Sequence, residues 1–165
     1  MTIQRPTLGL TEAKKKIMDM VARRDHSEKE IRQKLSLHCE NEIVEQALIW
    51  AQQKNWLASP ESLKEKLADQ LNKRGQGTHK INQKLVQMGL PSVQADPKLE
   101  FEKAKKLALA KWSSAVFQAL EDHEAQKLQA KMIRFLSARG FTCDIISSVL
   151  KNEFKAGAIS YDEEY

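Results

Sequence analysis

The feature that most constrains this chain is a self-similarity with a period of about fifty residues: Ile31-Arg32-Gln33-Lys34-Leu35 returns as Ile81-Asn82-Gln83-Lys84-Leu85. Further on, Leu85-Val86-Gln87-Met88-Gly89-Leu90 is echoed by Leu136-Ser137-Ala138-Arg139-Gly140-Phe141, an L-x-x-x-G-apolar signature. Linked partial matches of this kind imply three units of one architecture, each with a central helix. Units of this size bury too little surface to stand alone, so they are expected to support one another.

Local signals place helices inside each unit. Ala13, Ile17, Met20 and Val21 line one helical face. Ser27-Glu28-Lys29-Glu30 is a capping box, in which Ser27 accepts from the Glu30 backbone N–H and Glu30 reaches back to that of Ser27. Val44, Ala47, Leu48 and Ala51 form a third stripe. Ser59-Pro60 opens the second unit as a cap followed by proline at the first helical position. Gly75 and Gly77 break that helix, Thr78 is read as the next cap, and Gly89 with Pro91 as the stop. Asp96-Pro97 opens a third unit whose stripes run through Phe101 to Trp112, Leu128 to Leu136 and, after a Thr142 cap, Ile145 to Leu150. No segment alternates like a strand.

The expected fold is all-α: three tandem three-helix repeats forming an elongated, curved, right-angle-packed helical array. The boundaries are an N-terminal tail over 1–12, repeats over 13–58, 59–95 and 96–155, and an acidic C-terminal tail over 156–165. The third helix of the middle repeat is expected to be short, because Pro91 and Asp96-Pro97 leave room for little more than one turn.

Charged residues make up 30% and hydrophobic ones 41%, with a mean hydropathy of −0.55. No apolar run approaches the roughly 18 residues a membrane span needs, and MTIQRPTLGL lacks the apolar core of a signal peptide. A cytoplasmic, monomeric protein is expected. Cys39 and Cys143 lie far apart without zinc-site spacing, and both are read as buried thiols.

The net charge of +5 comes in blocks: residues 13–35, 71–90 and 127–143 each carry +4, and the intervening stretches are neutral or acidic. Such blocks attract phosphates or carboxylates of a partner; the alternative is three solvated helix faces.

Three stretches resemble the family of the recombination regulator RecX. Ala22-Arg23-Arg24-Asp25-His26-Ser27-Glu28-Lys29-Glu30-Ile31-Arg32-Gln33-Lys34-Leu35 is similar to its A-x-R-x-H-S-x-x-E-L/I-x-x-K-L block, and Arg74-Gly75-Gln76-Gly77 to its R-G-Y-G turn. Lys131 through Phe141, with Asp144 and Ile145 after it, is similar to its K-x-x-R-F-L-x-x-R-G-F/Y block. The middle region departs: Trp56 stands for Tyr, Leu63 for Phe and Gln76 for Tyr. The resemblance implies a protein that binds in the groove of the RecA filament on single-stranded DNA and restrains its recombinase, ATPase and coprotease activities. Single-stranded and double-stranded DNA are further expected partners. The alternative is a non-specific or helix-turn-helix DNA-binding protein.

The residues expected to carry partner contact are Arg24, Arg32, Lys34, Lys73, Arg74, Lys80, Lys84, Arg134 and Arg139. Arg74 and Arg139 rank first, since each sits beside a glycine and guanidinium pairs at two points with carboxylate or phosphate. Arg139 also has a structural reason to exist, as a cation at a helix C-terminus. His26 precedes a capping serine and is read as orienting that helix start, not as a base or ligand. His38, His79 and His123 are isolated, no metal site or cofactor site is expected, and the Gly75/Gly77 turn is too short for a P-loop. Trp50, Trp56 and Trp112 are read as core residues more than as base-stacking platforms. No catalytic constellation is expected.

Overall fold

The computed structural model describes residues 8–155, which hold nine helices and no strand. In chain order they are α1 (Leu10–Val21), α2 (Glu28–Ser36), α3 (Asn41–Gln53), α4 (Pro60–Lys73), α5 (Thr78–Gln87), α6 (Pro97–Lys111), α7 (Ser114–Gln118), α8 (Asp122–Ser137) and α9 (Cys143–Phe154). The chain forms two units. One takes the described residues up to Leu67 with Lys84–Ser92, the other Ala68–Gln83 with the described residues from Val93 onward.

In the first unit α1 packs on α3 and α2 packs on both. The expected stripes meet there: Ala13, Ile17, Ile31, Leu35, Ala47 and Ala51 are fully buried. Ser27 caps α2 with the full reciprocal box, accepting from Glu30 N–H while Glu30 accepts from Ser27 N–H. Such a cap stabilises a helix by about 1 kcal/mol. In the second unit α6 packs on α9, and α8 and α7 close around α9. Its core is Ala104, Ala108, Met132, Leu136, Ile146, Val149, Leu150 and Phe154. Asp96 caps α6 by accepting from Lys98 and Leu99 N–H, with Pro97 opening the helix.

Four helix ends stop by one device. Asn55, Gly75, Gly89 and Gly140 take positive φ of 54°, 71°, 71° and 85°. The N–H after each donates five residues back, from Trp56 to Ala51, Gln76 to Leu71, Leu90 to Leu85 and Phe141 to Leu136. This is the 6→1 bond of a Schellman turn, which satisfies carbonyls the helix end leaves open.

Several expectations are corrected. Residues 59–95 hold two helices, α4 and α5, and the short helix expected near their end is absent, since residues 91–96 have no regular structure. Proline at 91 and 97 disfavours helical φ/ψ at the residue before each. The segment is pinned instead by Asn82, whose Nδ2 donates to Val93 O at 2.9 Å while Val93 N–H donates to Asn82 Oδ1 at 2.8 Å. The third repeat holds an extra short helix, α7, capped by Ser113. Thr142 stands at the N-cap of α9 without a side-chain cap bond, and Thr78 is the first residue of α5. The Thr78 N–H is taken by the Glu100 carboxylate at 3.0 Å, a side chain buried in the second unit. Cys39 is buried as expected, whereas Cys143 is exposed in the first turn of α9. Trp56 is 38% exposed, while Trp50 and Trp112 are half-buried. The terminal tails, apart from residues 8–12, fall outside the described residues.

Candidate functional site

The start of α2 gathers the sequence-predicted cations of the first unit, and the fold occupies most of them. Arg24 forks onto Glu30, with Nη2–Oε1 at 2.9 Å, and donates a further bond to Asp25 O. Arg32 spans Glu28 at 2.9 Å and Glu45, joining α2 to α3. Gln52 donates to the other Glu28 oxygen, so both oxygens of that carboxylate are engaged within the unit. Burial pushes the Glu30 carboxyl up, but the hydrogen bonds from Arg24 and Ser27 and the Arg24 charge outweigh it, and the group lies below its ordinary range.

His26 is buried and makes two contacts. Its Nδ1 is 2.9 Å from Arg24 O and its Nε2 is 3.1 Å from Lys34 Nζ. A carbonyl only accepts and an ammonium only donates, so Nδ1 carries the proton and Nε2 accepts from Lys34. The ring is therefore the neutral tautomer. Burial lowers its pKa first, and the Arg24 and Lys34 charges add to that against the opposing Arg24 carbonyl bond. His26 thus fixes the approach to α2 as expected, and Lys34 is its partner.

In the second unit Lys73 pairs with Asp69 at 2.6 Å. Lys80 donates to Ala138 O at 2.7 Å, at a place where two backbones nearly touch. Gly77 N–H donates to Arg139 O at 2.8 Å, and a Cβ on Gly77 would lie 2.3 Å from Gly140 O. The first unit repeats the theme: Lys29 lies over Gly89 and donates to Val86 O at 3.3 Å. In both units a lysine in the first turn of one repeat's central helix covers the left-handed glycine that ends the central helix of the next. The R-G-x-G and R-G-F motifs are, first of all, parts of this clasp.

Arg74, Lys84 and Arg134 are exposed, and their side chains have no ion pair or hydrogen bond among the described residues. Arg139 is half-buried, with its guanidinium 3.8 Å from the centroid of Phe135 and no carboxylate partner. Its Nε is buried without a hydrogen-bond partner. Lys111 Nζ lies over the same ring at 4.3 Å and over Trp112 at 4.9 Å, and Trp112 meets Phe135 edge-on at 5.1 Å. Lys111 and Glu100 escaped the sequence reading. The adjacency of Lys111 to Trp112 was the available signal for the first; Glu100 acts across twenty-two residues and had none.

A cleft of about 560 Å³ opens beside α2, lined by Ser27, Glu28, Lys29, Arg32, Gln52, Leu63 and Leu90 among others. A second, of about 470 Å³, lies between Met18, Asp19, Val21, Ala22 and Trp56. Neither lines up a nucleophile with a free base. Among the described residues no group of three His, Cys, Asp or Glu side chains is placed to hold a metal ion, and no helix is long and apolar enough to cross a membrane.

Two family models match the chain: RecX, first three-helix domain, over residues 13–49, and RecX, third three-helix domain, over residues 99–150. The regulatory protein RecX of Vibrio campbellii is 31% identical over 153 residues, spanning 92% of this chain and 96% of that protein. The chain belongs to the RecX family. The regulatory protein RecX of Clostridioides difficile is 27% identical over 147 residues, covering 84% of this chain and 66% of its own length. Among solved structures, RecX from Lactobacillus salivarius aligns with a TM-score of 0.67 at 17% identity, over 88% of this chain and 96% of that one. A second, titled regulatory protein RecX, aligns at 0.62 with 22% identity, over 88% and 71%. These structures share the fold, an array of helical repeats; the RecX matches by sequence carry the family.

Proposed function

We propose that this RecX-family chain is a cytoplasmic monomer that binds the RecA filament on single-stranded DNA and restrains its recombinase, ATPase and coprotease activities without catalysis of its own. The observation that carries the reading is family membership across nearly the whole chain, with relatives named as regulatory proteins. The sorting of cations supports it. Arg24, Arg32 and Lys73 are neutralised by carboxylates and Lys34 and Lys80 serve the fold, which leaves Arg74, Lys84, Arg134 and Arg139 for a partner. An exposed cation without a carboxylate neighbour contributes little to stability and much to steering an anionic surface.

The test is a titration into RecA assembled on single-stranded DNA with ATP, following hydrolysis and filament content together, with naked DNA as the control. The reading expects both signals to fall at protein concentrations well below those that coat naked DNA. Effects that appear only when the DNA is saturated make the protein a competitor for DNA and overturn the filament reading. A plain duplex binder using about four phosphates would show a salt slope near −3.6.

A further inference from the structure

We propose that Lys111, Trp112, Phe135 and Arg139, continued along α8 by Lys131 and Arg134, form a binding site for single-stranded nucleic acid. The proposal deepens the filament reading by assigning the DNA strand, rather than the protein of the filament, to this face of the second unit.

Arg139 differs from the other arginines that make contacts in the structure. Arg24 and Arg32 lie against carboxylates, whereas the Arg139 guanidinium lies on the Phe135 ring. Its Nε is buried without a hydrogen-bond partner, and its terminal nitrogens hold no hydrogen bond or ion pair to the described residues. Stacking on a ring fixes the plane of the fork while leaving its two donors free, which prepares it for two-point contact with a phosphate. Lys131 and Arg134 are exposed neighbours on α8, at i and i+3, while Phe135, at i+4, is half-buried and packs its inner side against the core of Met132 and Leu136. No acidic residue interrupts 127–143.

The rings decide between an anionic peptide and a nucleic acid. Carboxylates need only the cations, but a nucleic acid also offers flat faces. Lys111 covers the half-buried Trp112 ring, and a base stacked there would displace the ammonium toward the backbone phosphate. Basic residues interleaved with aromatic platforms are the usual means of holding a single strand. A duplex keeps its bases stacked on one another and has no free face to give Trp112.

The test is fluorescence anisotropy of a labelled twenty-nucleotide oligothymidylate with the full chain at 50 mM salt, repeated over a salt series. Lys111→Gln with Arg139→Gln is expected to weaken binding at least tenfold and to reduce the salt slope by about 1.4, two contacts at about 0.7 each. Arg134→Gln alone, on an exposed side chain, gives a readout that does not depend on the fold of the cluster. Trp112→Phe should keep most of the binding but lose the quenching of tryptophan emission. The charge-matched control Lys15→Gln with Lys151→Gln, both on exposed residues outside the cluster, should leave affinity within twofold. Failure of the wild-type chain to bind the strand, equal losses in the cluster and control variants, or capture of a polyglutamate peptide in place of the strand would each overturn the proposal. The RecA titration run on the same variants separates the two readings. Strand binding without any effect on RecA leaves this site standing and removes the filament reading; restraint of RecA unaltered by the cluster variants does the reverse.

Discussion

Replacing Gly77 with alanine probes the clasp in the second unit at its tightest point. The added Cβ would lie 2.3 Å from Gly140 O, 2.5 Å from Gly140 C and 2.8 Å from Phe141 N, all backbone atoms with no rotamer to escape into. Relief to the shortest contact that real Cβ atoms show needs a separation of about 0.7 Å, which stretches the 2.8 Å Gly77 N–H to Arg139 O bond to about 3.5 Å and in effect breaks it. A buried backbone donor left unpaired costs about 1–3 kcal/mol, and overpacking a rigid contact about 1–3 kcal/mol more. Loss of glycine freedom in the unfolded chain returns about 0.4–1 kcal/mol, because φ at Gly77 is not positive. The net is about 1–5.5 kcal/mol, or a fall in Tm of about 2–20 °C at this chain length. Thermal melts by circular dichroism read it directly. Gly9→Ala is the control, since its Cβ meets only the tip of the Glu12 side chain, at 3.0 Å, and should shift Tm by less than about 2 °C. Gly140→Ala strains the same contact from the other side, against Lys80 Cβ at 2.5 Å and with φ at +85°, so the double variant should lose less than the sum of the two. A Gly77→Ala chain that melts within about 2 °C of wild type would refute the clasp.

Ser27→Ala removes one half of the capping box and should cost about 1 kcal/mol, a drop of about 2–4 °C in the same melts. His26 is held neutral in the folded state, with its pKa below the ordinary value of about 6.5. Below that pH the unfolded chain binds more protons, so stability is full above about 6.5 and falls as the pH drops toward the folded pKa. Melts at pH 7.5 and 5.0 should show this loss, and His26→Gln should flatten it; an unchanged pH dependence in that variant would assign the loss to other groups. Maleimide labelling of the native protein should modify Cys143 quickly and Cys39 only on unfolding, because Cys39 is buried and its thiol pKa is pushed up by burial.

What the sequence made legible was local. The Ser27 box, the Asp96-Pro97 start and the glycines at three of the four Schellman turns depend on groups within a few residues of one another, so their spacing alone specifies them. Asn82 and Val93 are eleven residues apart, and nothing in the second I-x-Q-K-L copy announces that its variable position pins an irregular segment where Arg32, in the first copy, pairs with the third helix. α7 is five residues long, too short for a helical period to register. The same limit applied to the candidate site. Whether an arginine is spent or free depends on which carboxylate the fold brings to it, and Arg24 and Arg32 find theirs while Arg74 and Arg134 do not. Glycine beside arginine raised Arg74 and Arg139 to the front, yet Gly77 and Gly140 serve the clasp between backbones and would be required there whatever the chain binds. The function is therefore better sought in the cations left over once the clasp, the caps and the ion pairs are accounted for. Arg139 is the residue where both demands meet: its carbonyl accepts from Gly77 while its guanidinium, lying on Phe135, is left without a carboxylate.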